Sequence, residues 1–395
     1  MRLGFHYHVP ALTEKTQIFM PGDIGRFIDS LAIYCDEIIC FLHSPLPQEE
    51  SNLDYPIQSG RVSLVNIGPH ASIPRRMFRA PLISRQIKQY GNDLDVMLIR
   101  GPTPLLFEVA HACNNLPKAL LLVGDYMPGV DDLPQPRWRK ELIRLWSRWN
   151  YERQLAVAKH SLTFVNSHRL YLQLEKKLPF LVETRTSTLT ETDYYTREDT
   201  CQSAPYHLLY TGRMSRAKGL LDMVEAVSLL TRLGKDVRLD LVGPKEKGDP
   251  VLDELANLVT TLDISGRVFF HGYKPLGPEL FDFYKKADIY LIASRSSYEG
   301  FPRTIWEAMA HSLPVIATRV GSIPDFLEDN KEAVLIPPKD PAAIVDACVR
   351  LIDNLDYRKS IILNGHKLSL GNQINIRAQE MVQFIHKWIS TGCIN

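Results

Sequence analysis

Short runs of valine, isoleucine and leucine recur along this chain, separated by longer stretches with helical spacing. In the first half they are MRLGFHYHV, DEIICFLHS, VSLVNIG, LDVMLIRG, KALLLVGD and SLTFVNS. In the second half they are LLYTGRM, DVRLDLVGP, RVFFHGY, ADIYLIAS, LPVIAT and AVLIPP. The runs are nearly continuous in apolar residues rather than alternating, as in strands covered on both faces of a parallel sheet. Parallel neighbours need a crossover, and helical stretches such as GRFIDSLAIYC supply it. The rhythm predicts an α/β protein with two doubly wound parallel sheets. It pauses at about 185–207, RTSTLTETDYYTREDTCQSAPYH, which is polar, rich in threonine and without a helical period. This stretch reads as a linker between a first domain, 1–186, and a second, 203–373. The last stretch, NIRAQEMVQFIHKWI, places Met381, Phe384, Ile385 and Trp388 on one helical face. A helix over about 374–395 is expected to pack back on the first domain. Two such domains are expected to hold a ligand between the carboxyl ends of their strands.

The length of 395 residues suits two domains. A net charge of +1 argues against a nucleic-acid binder, which needs a large basic excess. The charge is unevenly spread. Arg61, Arg75, Arg76, Arg79, Arg85 and Lys88 span a segment with no acid. A second basic segment holds Arg137, Arg139, Lys140, Arg144, Arg148 and Arg153. The six cysteines form no C-x-x-C pair and no zinc-type spacing, so reduced thiols in a cytoplasmic protein are expected. No apolar run approaches the ~18–20 residues that span a membrane, and MRLGFHYHVP is too short in apolar residues for a secretory signal.

The segment SYEGFPRTIWEAMAHSLPVIAT carries two carboxylates, Glu299 and Glu307, with seven residues between them. The strand ADIYLIAS ends just before Glu299. In the turn Gly300-Phe301-Pro302, the glycine lets the backbone approach a ligand and the proline suits a helix start. Arg303 and Thr304 fall in the first turn, where unpaired N–H groups attract anions. Glu307 lies one turn further in. Both carboxylates thus face one pocket beside an anion-binding helix start.

The longer stretch EGFPRTIWEAMAHSLPVIATRVGSIPDFL closely resembles the donor-site signature of retaining glycosyltransferases of family four, which have the GT-B fold. The resemblance implies that Glu307 binds the ribose hydroxyls of a nucleotide sugar and that Glu299 faces the sugar. A second motif, YTGRMSRAKGLLDMVEAV, resembles the family's Gly-Arg, four residues, Lys-Gly pattern, here Gly212-Arg213 and Lys218-Gly219. Its chemistry has a direct reason. Transfer leaves a nucleoside diphosphate, and two cations in a partly dry cleft stabilise the charge growing on it without a metal. The resemblance is strong over about 205–345 and thin before 185. FMPGDIGRFIDSLA places Gly22 and Gly25 before a helix and resembles the family's glycine loop near the diphosphate. It is not G-x-G-x-x-G, so a nicotinamide site is not supported. After LLLV, where many members carry a histidine, this chain has Gly124 and Asp125; Asp125 is the candidate substitute. His6 and His8 share one face of the first strand, and His8 is a further candidate at the site.

The resemblance implies two Rossmann-like domains in a GT-B arrangement and a metal-independent retaining hexosyltransferase. The donor would be a UDP- or GDP-linked sugar, which is a substrate, so no cofactor is expected. The acceptor would be a glycan or a polyprenyl-diphosphate-linked saccharide in polysaccharide biosynthesis. A GT-B sugar-nucleotide epimerase and a catalytically silent GT-B subunit are the alternatives. On a helical wheel of 137–153, Arg137, Lys140, Arg144 and Arg148 oppose Trp138, Leu142, Leu145, Trp146 and Trp149. Such a helix either lies on an anionic membrane, at the inner face of the cytoplasmic membrane, or packs its apolar side on the sheet.

Overall fold

The computed structural model describes residues 1–123, 136–246, 248–296 and 299–393. They divide into two compact units, Met1–Thr188 with Ile374–Asn395, and Leu189–Gln373.

The strands of unit 1 are β1 (Arg2–Pro10), β2 (Leu12–Glu14), β3 (Gln17–Met20), β4 (Glu37–Ser44), β5 (Tyr55–Pro56), β6 (Val62–Pro69), β7 (Val96–Gly101), β8 (Lys118–Leu122), β9 (Leu162–Val165) and β10 (Leu181–Glu183). Seven of them form a parallel sheet in the order β10-β9-β8-β7-β1-β4-β6. The others form a small antiparallel ribbon, β2-β3-β5. The continuous apolar runs are explained by the two cores they serve. Side chains alternate along a strand, so Cys40 and Leu42 of β4 enter one core while Ile39 and Phe41 enter the core on the other face. The helices used below are α1 (Gly22–Ala32), α2 (Ile73–Phe78), α3 (Ala80–Lys88), α4 (Leu106–Ala112) and α5 (Arg137–Ala158).

The C-terminal helix, Ile374–Thr391, buries Ile374, Ala378, Met381, Val382 and Ile385 in the core shared with α1. Phe384 meets Phe164 at 6.2 Å, and Trp388 meets Phe180 at 4.5 Å between ring centroids. Each fully buried aliphatic side chain stabilises by about 1.5–3 kcal/mol. That is why the end of the chain belongs to unit 1.

Unit 2 holds β11 (Tyr206–Thr211), β12 (Val237–Val242), β13 (Val268–Gly272), β14 (Ile289–Ile292), β15 (Val315–Thr318) and β16 (Val334–Ile336). They form a parallel sheet in the order β13-β12-β11-β14-β15-β16. Its order reverses between β11 and β14, so the loops after these two strands emerge side by side. That is the switch point where open α/β sheets place ligands.

The polar stretch read as a linker differs from that expectation. From Leu189 onward it is stapled to unit 2. Leu189, Thr200 and Cys201 are buried. The Arg197 guanidinium donates to the carbonyls of Lys285, Tyr284 and Ala287 at 2.9, 3.2 and 2.7 Å. Asp199 pairs with buried Arg358 at 2.7 Å. The segment is held by polar side chains rather than an apolar face, so it shows no period.

Candidate functional site

β11 ends at Thr211 and passes through Gly212 and Arg213 to a one-turn helix, Arg216–Lys218. Gly219 takes the left-handed conformation there and opens the helix Leu220–Arg232. The neighbouring β14 runs into the Glu299 loop and then the helix Arg303–Ala310. Two links lock the loops together. Arg295 N–H donates to Ala217 O at 2.8 Å, and the Arg295 guanidinium pairs with Asp222.

Across this seam Lys218 Nζ donates to both carboxylate oxygens of Glu299, at 2.6 and 2.8 Å. The side chains are only 14 % and 13 % exposed. The sequence placed both groups at the site; their mutual contact is what the structure adds. Glu299 is itself fixed from behind. Its carbonyl accepts from Ser322 N–H at 3.0 Å. Gly321 lies against that carbonyl at φ 54°, and a Cβ there would overlap it. The glycine of the VGS loop thus has a packing reason.

Glu307 is buried in the second turn of Arg303–Ala310 and accepts from the Tyr284 hydroxyl at 2.7 Å. Tyr284 meets Thr211 Oγ1 at 2.6 Å, and Tyr290 donates to Thr304 Oγ1 at 2.6 Å. These buried hydroxyls tie the end of β11 to the helix start. Burial, then the charge of Glu307, keeps the Tyr284 phenol protonated well above its ordinary range. His311, next along, donates from Nδ1 to Glu307 O at 2.7 Å; burial lowers its pKa to about 4, so it is neutral. Sequence reasoning missed Tyr284, Tyr290 and Thr211. One signal was available: a tyrosine inside the aliphatic run ADIYLIAS must find a hydrogen-bond partner when buried.

The remaining candidates are placed less tightly. Arg213 points outward, 65 % exposed, and pairs with Glu246 at 3.0 Å. Its carbonyl accepts from Tyr210 OH at 2.9 Å. Burial, then Tyr290 and Glu299, raises that phenol's pKa well above its ordinary range, and Arg213 opposes them. Gly212 follows β11 with φ 145°, beside the same hydroxyl. Gly300 is exposed, and Pro302 precedes the helix whose first turn holds Arg303 and Thr304. Phe301 packs tilted against Trp306 at 4.5 Å and edge-on against Phe326 at 5.0 Å, so it braces the turn.

In unit 1, Gly22 N–H donates to Asp54 at 2.9 Å, and Gly25 N–H donates to Pro21 O. A Cβ on Gly25 would overlap the Tyr55 ring. As it stands, the glycine loop serves the start of α1 and its packing. His8 lies at the carboxyl end of β1, and burial lowers its pKa to about 3. Asp125 lies outside the described residues. Among the described residues, no group of three His, Cys, Asp or Glu has the geometry to hold a metal ion. Among them, too, no helix is long and apolar enough to cross a membrane.

Two Rossmann-like domains define the GT-B fold, and solved structures share it over almost the whole chain. The Anabaena Alr3699/HepE protein in complex with UDP and glucose superposes with a TM-score of 0.71 at 16 % identity, covering 98 % of this chain and 100 % of that one. Sucrose-phosphate synthase from Thermosynechococcus elongatus gives 0.73 at 17 % identity, covering 99 % of each. Residues 205–354 match the family model for glycosyl transferases group 1. Unit 2 therefore carries a domain of the glycosyl transferases group 1 family. Similar proteins include the D-inositol 3-phosphate glycosyltransferase of Corynebacterium diphtheriae, 29 % identical over 166 residues, 41 % of this chain and 38 % of that protein. The amylovoran biosynthesis glycosyltransferase AmsK of Erwinia amylovora is 30 % identical over 151 residues, 37 % of this chain and 36 % of that protein. The matched segment spans well under half the length of each of these relatives.

Proposed function

We propose that this chain is a retaining glycosyltransferase that moves a hexose from a UDP- or GDP-linked donor to a glycan or lipid-linked saccharide in polysaccharide assembly. The observation that carries this is the part-buried Lys218–Glu299 pair at the switch point of unit 2, whose loop leads into the helix Arg303–Ala310 that holds buried Glu307. Glu307 holds the ribose hydroxyls, with Tyr284 fixing its orientation. When the donor enters, the Lys218–Glu299 pair opens. Lys218 turns to the diphosphate, and the freed carboxylate accepts from the sugar hydroxyls. Arg213 leaves Glu246 and joins Lys218. The helix start at Arg303 and Thr304 faces the phosphates. The anomeric C–O bond to phosphate then breaks, and the nucleoside diphosphate keeps the electron pair. The acceptor oxygen bonds on the same face of the sugar, and its proton passes to a leaving phosphate oxygen. Similar proteins support this reading, since the Anabaena structure holds UDP and glucose and the Erwinia relative is an amylovoran biosynthesis glycosyltransferase.

Because two side-chain cations carry the leaving charge, activity should survive chelation. Transfer measured with and without EDTA should be unchanged within twofold, about 0.4 kcal/mol. Loss on EDTA treatment, restored by magnesium or manganese, would give the charge-stabilising role to a metal.

The acceptor is met at a membrane in this reading. Along α5, Trp138, Leu142, Leu145 and Trp149 are 67 %, 56 %, 62 % and 49 % exposed and Trp146 is half-buried, so most of this side is open to solvent. Arg137, Lys140, Arg144 and Arg148 lie on the other side of the helix, with Arg144 also paired to Glu141. A basic helix with exposed tryptophans lies in an anionic interface, at the inner face of the cytoplasmic membrane. Each near-surface cation contributes about 1 kcal/mol. Changing these four cations to Gln should weaken binding to phosphatidylserine vesicles roughly tenfold or more, with an unchanged melting curve. Equal vesicle affinity would leave the basic side merely solvated.

A further inference from the structure

The two loops at the switch point of unit 2 meet along a seam with a front and a back. The front is the Lys218–Glu299 pair. The back is made by two residues that no step of the proposed reaction uses. Asp222 stands four residues after Lys218, in the first turn of the helix Leu220–Arg232, and Arg295 stands four residues before Glu299. Arg295 Nε donates to Asp222 Oδ2 at 2.8 Å, and its Nη2 donates to Oδ1. Guanidinium and carboxylate are thus joined by two parallel bonds, which adds geometric specificity to their attraction. The signs alternate across the seam: Lys218 and Asp222 come from one side, Glu299 and Arg295 from the other.

Backbone contacts fill the space between the two pairs. Arg295 N–H donates to Ala217 O at 2.8 Å. Gly219 sits at φ 67° against Ala293, and a Cβ there would overlap the Ala293 carbonyl. The other side of the loop after β14 is held as well, since Thr318 Oγ1 donates to Ser294 O at 2.7 Å. A carboxylate in the first turn of a helix ordinarily serves the helix dipole from the surface. Asp222 is instead buried, and both its oxygens are taken by Arg295. A buried carboxylate is costly unless a cation meets it with good geometry, so this pair favours one separation of the two loops.

In the proposed reaction the front pair opens, so that Lys218 reaches the diphosphate and Glu299 the sugar. The register of these two side chains then depends on the back of the seam. We infer that Asp222 and Arg295 are positioning residues for sugar transfer, holding the two loops in register while the Lys218–Glu299 pair is open. The role rests on the transferase reading of this site. A misplacement of about 1 Å can cost about 100-fold in rate. Asp222→Asn and Arg295→Gln should therefore each lower kcat roughly tenfold or more. Arg295→Lys should fall between them and wild type, because a point charge cannot reproduce the planar fork. In a chain that already carries Lys218→Ala and Glu299→Ala, the same changes should lower the residual kcat by about threefold or less, since they act through those two side chains. A merely structural pair would cost the same factor in both backgrounds, and that result overturns the inference.

Amide hydrogen exchange of the wild-type chain tests the role without any variant that might fail to fold. With UDP or GDP bound, Arg295 N–H should exchange as slowly as in the free chain, or more slowly. Faster exchange on binding means that the back opens with the front, and overturns this inference alone. Binding of neither diphosphate would overturn the transferase reading and this inference with it.

Discussion

Lys218→Ala should lower kcat/KM for sugar transfer roughly 10- to 150-fold, the effect of losing one charge-assisted contact of about 1.5–3 kcal/mol. Much of the loss should appear in kcat, because the diphosphate charge grows as the sugar bond breaks. The structure adds a stability consequence. Removing Lys218 leaves the Glu299 carboxylate, 13 % exposed, without its bonded cation. A part-buried charge stripped of its partner destabilises by about 1–3 kcal/mol. Lys218→Ala with Glu299→Ala should therefore recover the melting temperature while activity stays low, which separates the two roles. Arg213→Ala should lower kcat/KM over a similar range with little change in melting, since Arg213 is 65 % exposed and its pair with Glu246 is a surface one. The two changes together should cost less than the sum of the singles, as both act on one leaving group. Arg213→Lys should restore only part, because a point charge cannot replace a planar fork. Steady-state kinetics with the preferred donor, beside thermal melts, check all of this. Near-wild-type kcat/KM in both single variants would place the diphosphate elsewhere.

Glu307→Ala should raise the Kd for nucleoside diphosphate roughly 10- to 150-fold, again the range of a hydrogen bond to a charged group. The 2′,3′-dideoxy analogue should bind wild type and variant alike, since it offers no ribose hydroxyl to lose. Tyr284→Phe should act in the same direction and more weakly, about 2- to 10-fold, because it removes only the bond that orients the carboxylate. Glu299→Ala should leave diphosphate binding near wild type and lower turnover, since the proposed function sets this carboxylate on the sugar rather than on the nucleotide. Calorimetry with the ribo and dideoxy nucleotides decides the matter. An equal loss for both analogues in Glu307→Ala would mean a general disturbance of the helix start rather than a ribose contact.

The sheets were legible in the sequence because each strand serves two cores and so reads as an unbroken apolar run; all the runs quoted above fall on strands. β10 and the β2-β3-β5 ribbon were not legible. The ribbon is antiparallel and its β3 and β5 are far apart in the chain, so it lies outside the strand–helix rhythm. At the site, Lys218, Glu299 and Glu307 stood out by spacing within motifs. Tyr284 and Thr211 did not, because their contact joins residues 73 positions apart and no local pattern encodes it. The Lys218–Glu299 pair, 81 positions apart, was hidden for the same reason. The helix 137–153 was legible as amphipathic, but its wheel was compatible with an apolar side packed on the sheet or left for a membrane. Burial shows the difference: Ser147, Asn150, Gln154, Leu155 and Ala158 are buried, while Trp138, Leu142, Leu145 and Trp149 are exposed and Trp146 is half-buried.

The most direct measurement follows nucleoside diphosphate release from a panel of UDP- and GDP-linked hexoses, with and without saccharide acceptors, and reads the product's anomeric configuration by NMR. The account predicts that one donor is consumed with formation of its nucleoside diphosphate, that the new glycoside keeps the donor's configuration, and that Lys218→Ala abolishes most of the signal. A new nucleotide sugar in place of the diphosphate, an inverted product, or no turnover of any donor would contradict it.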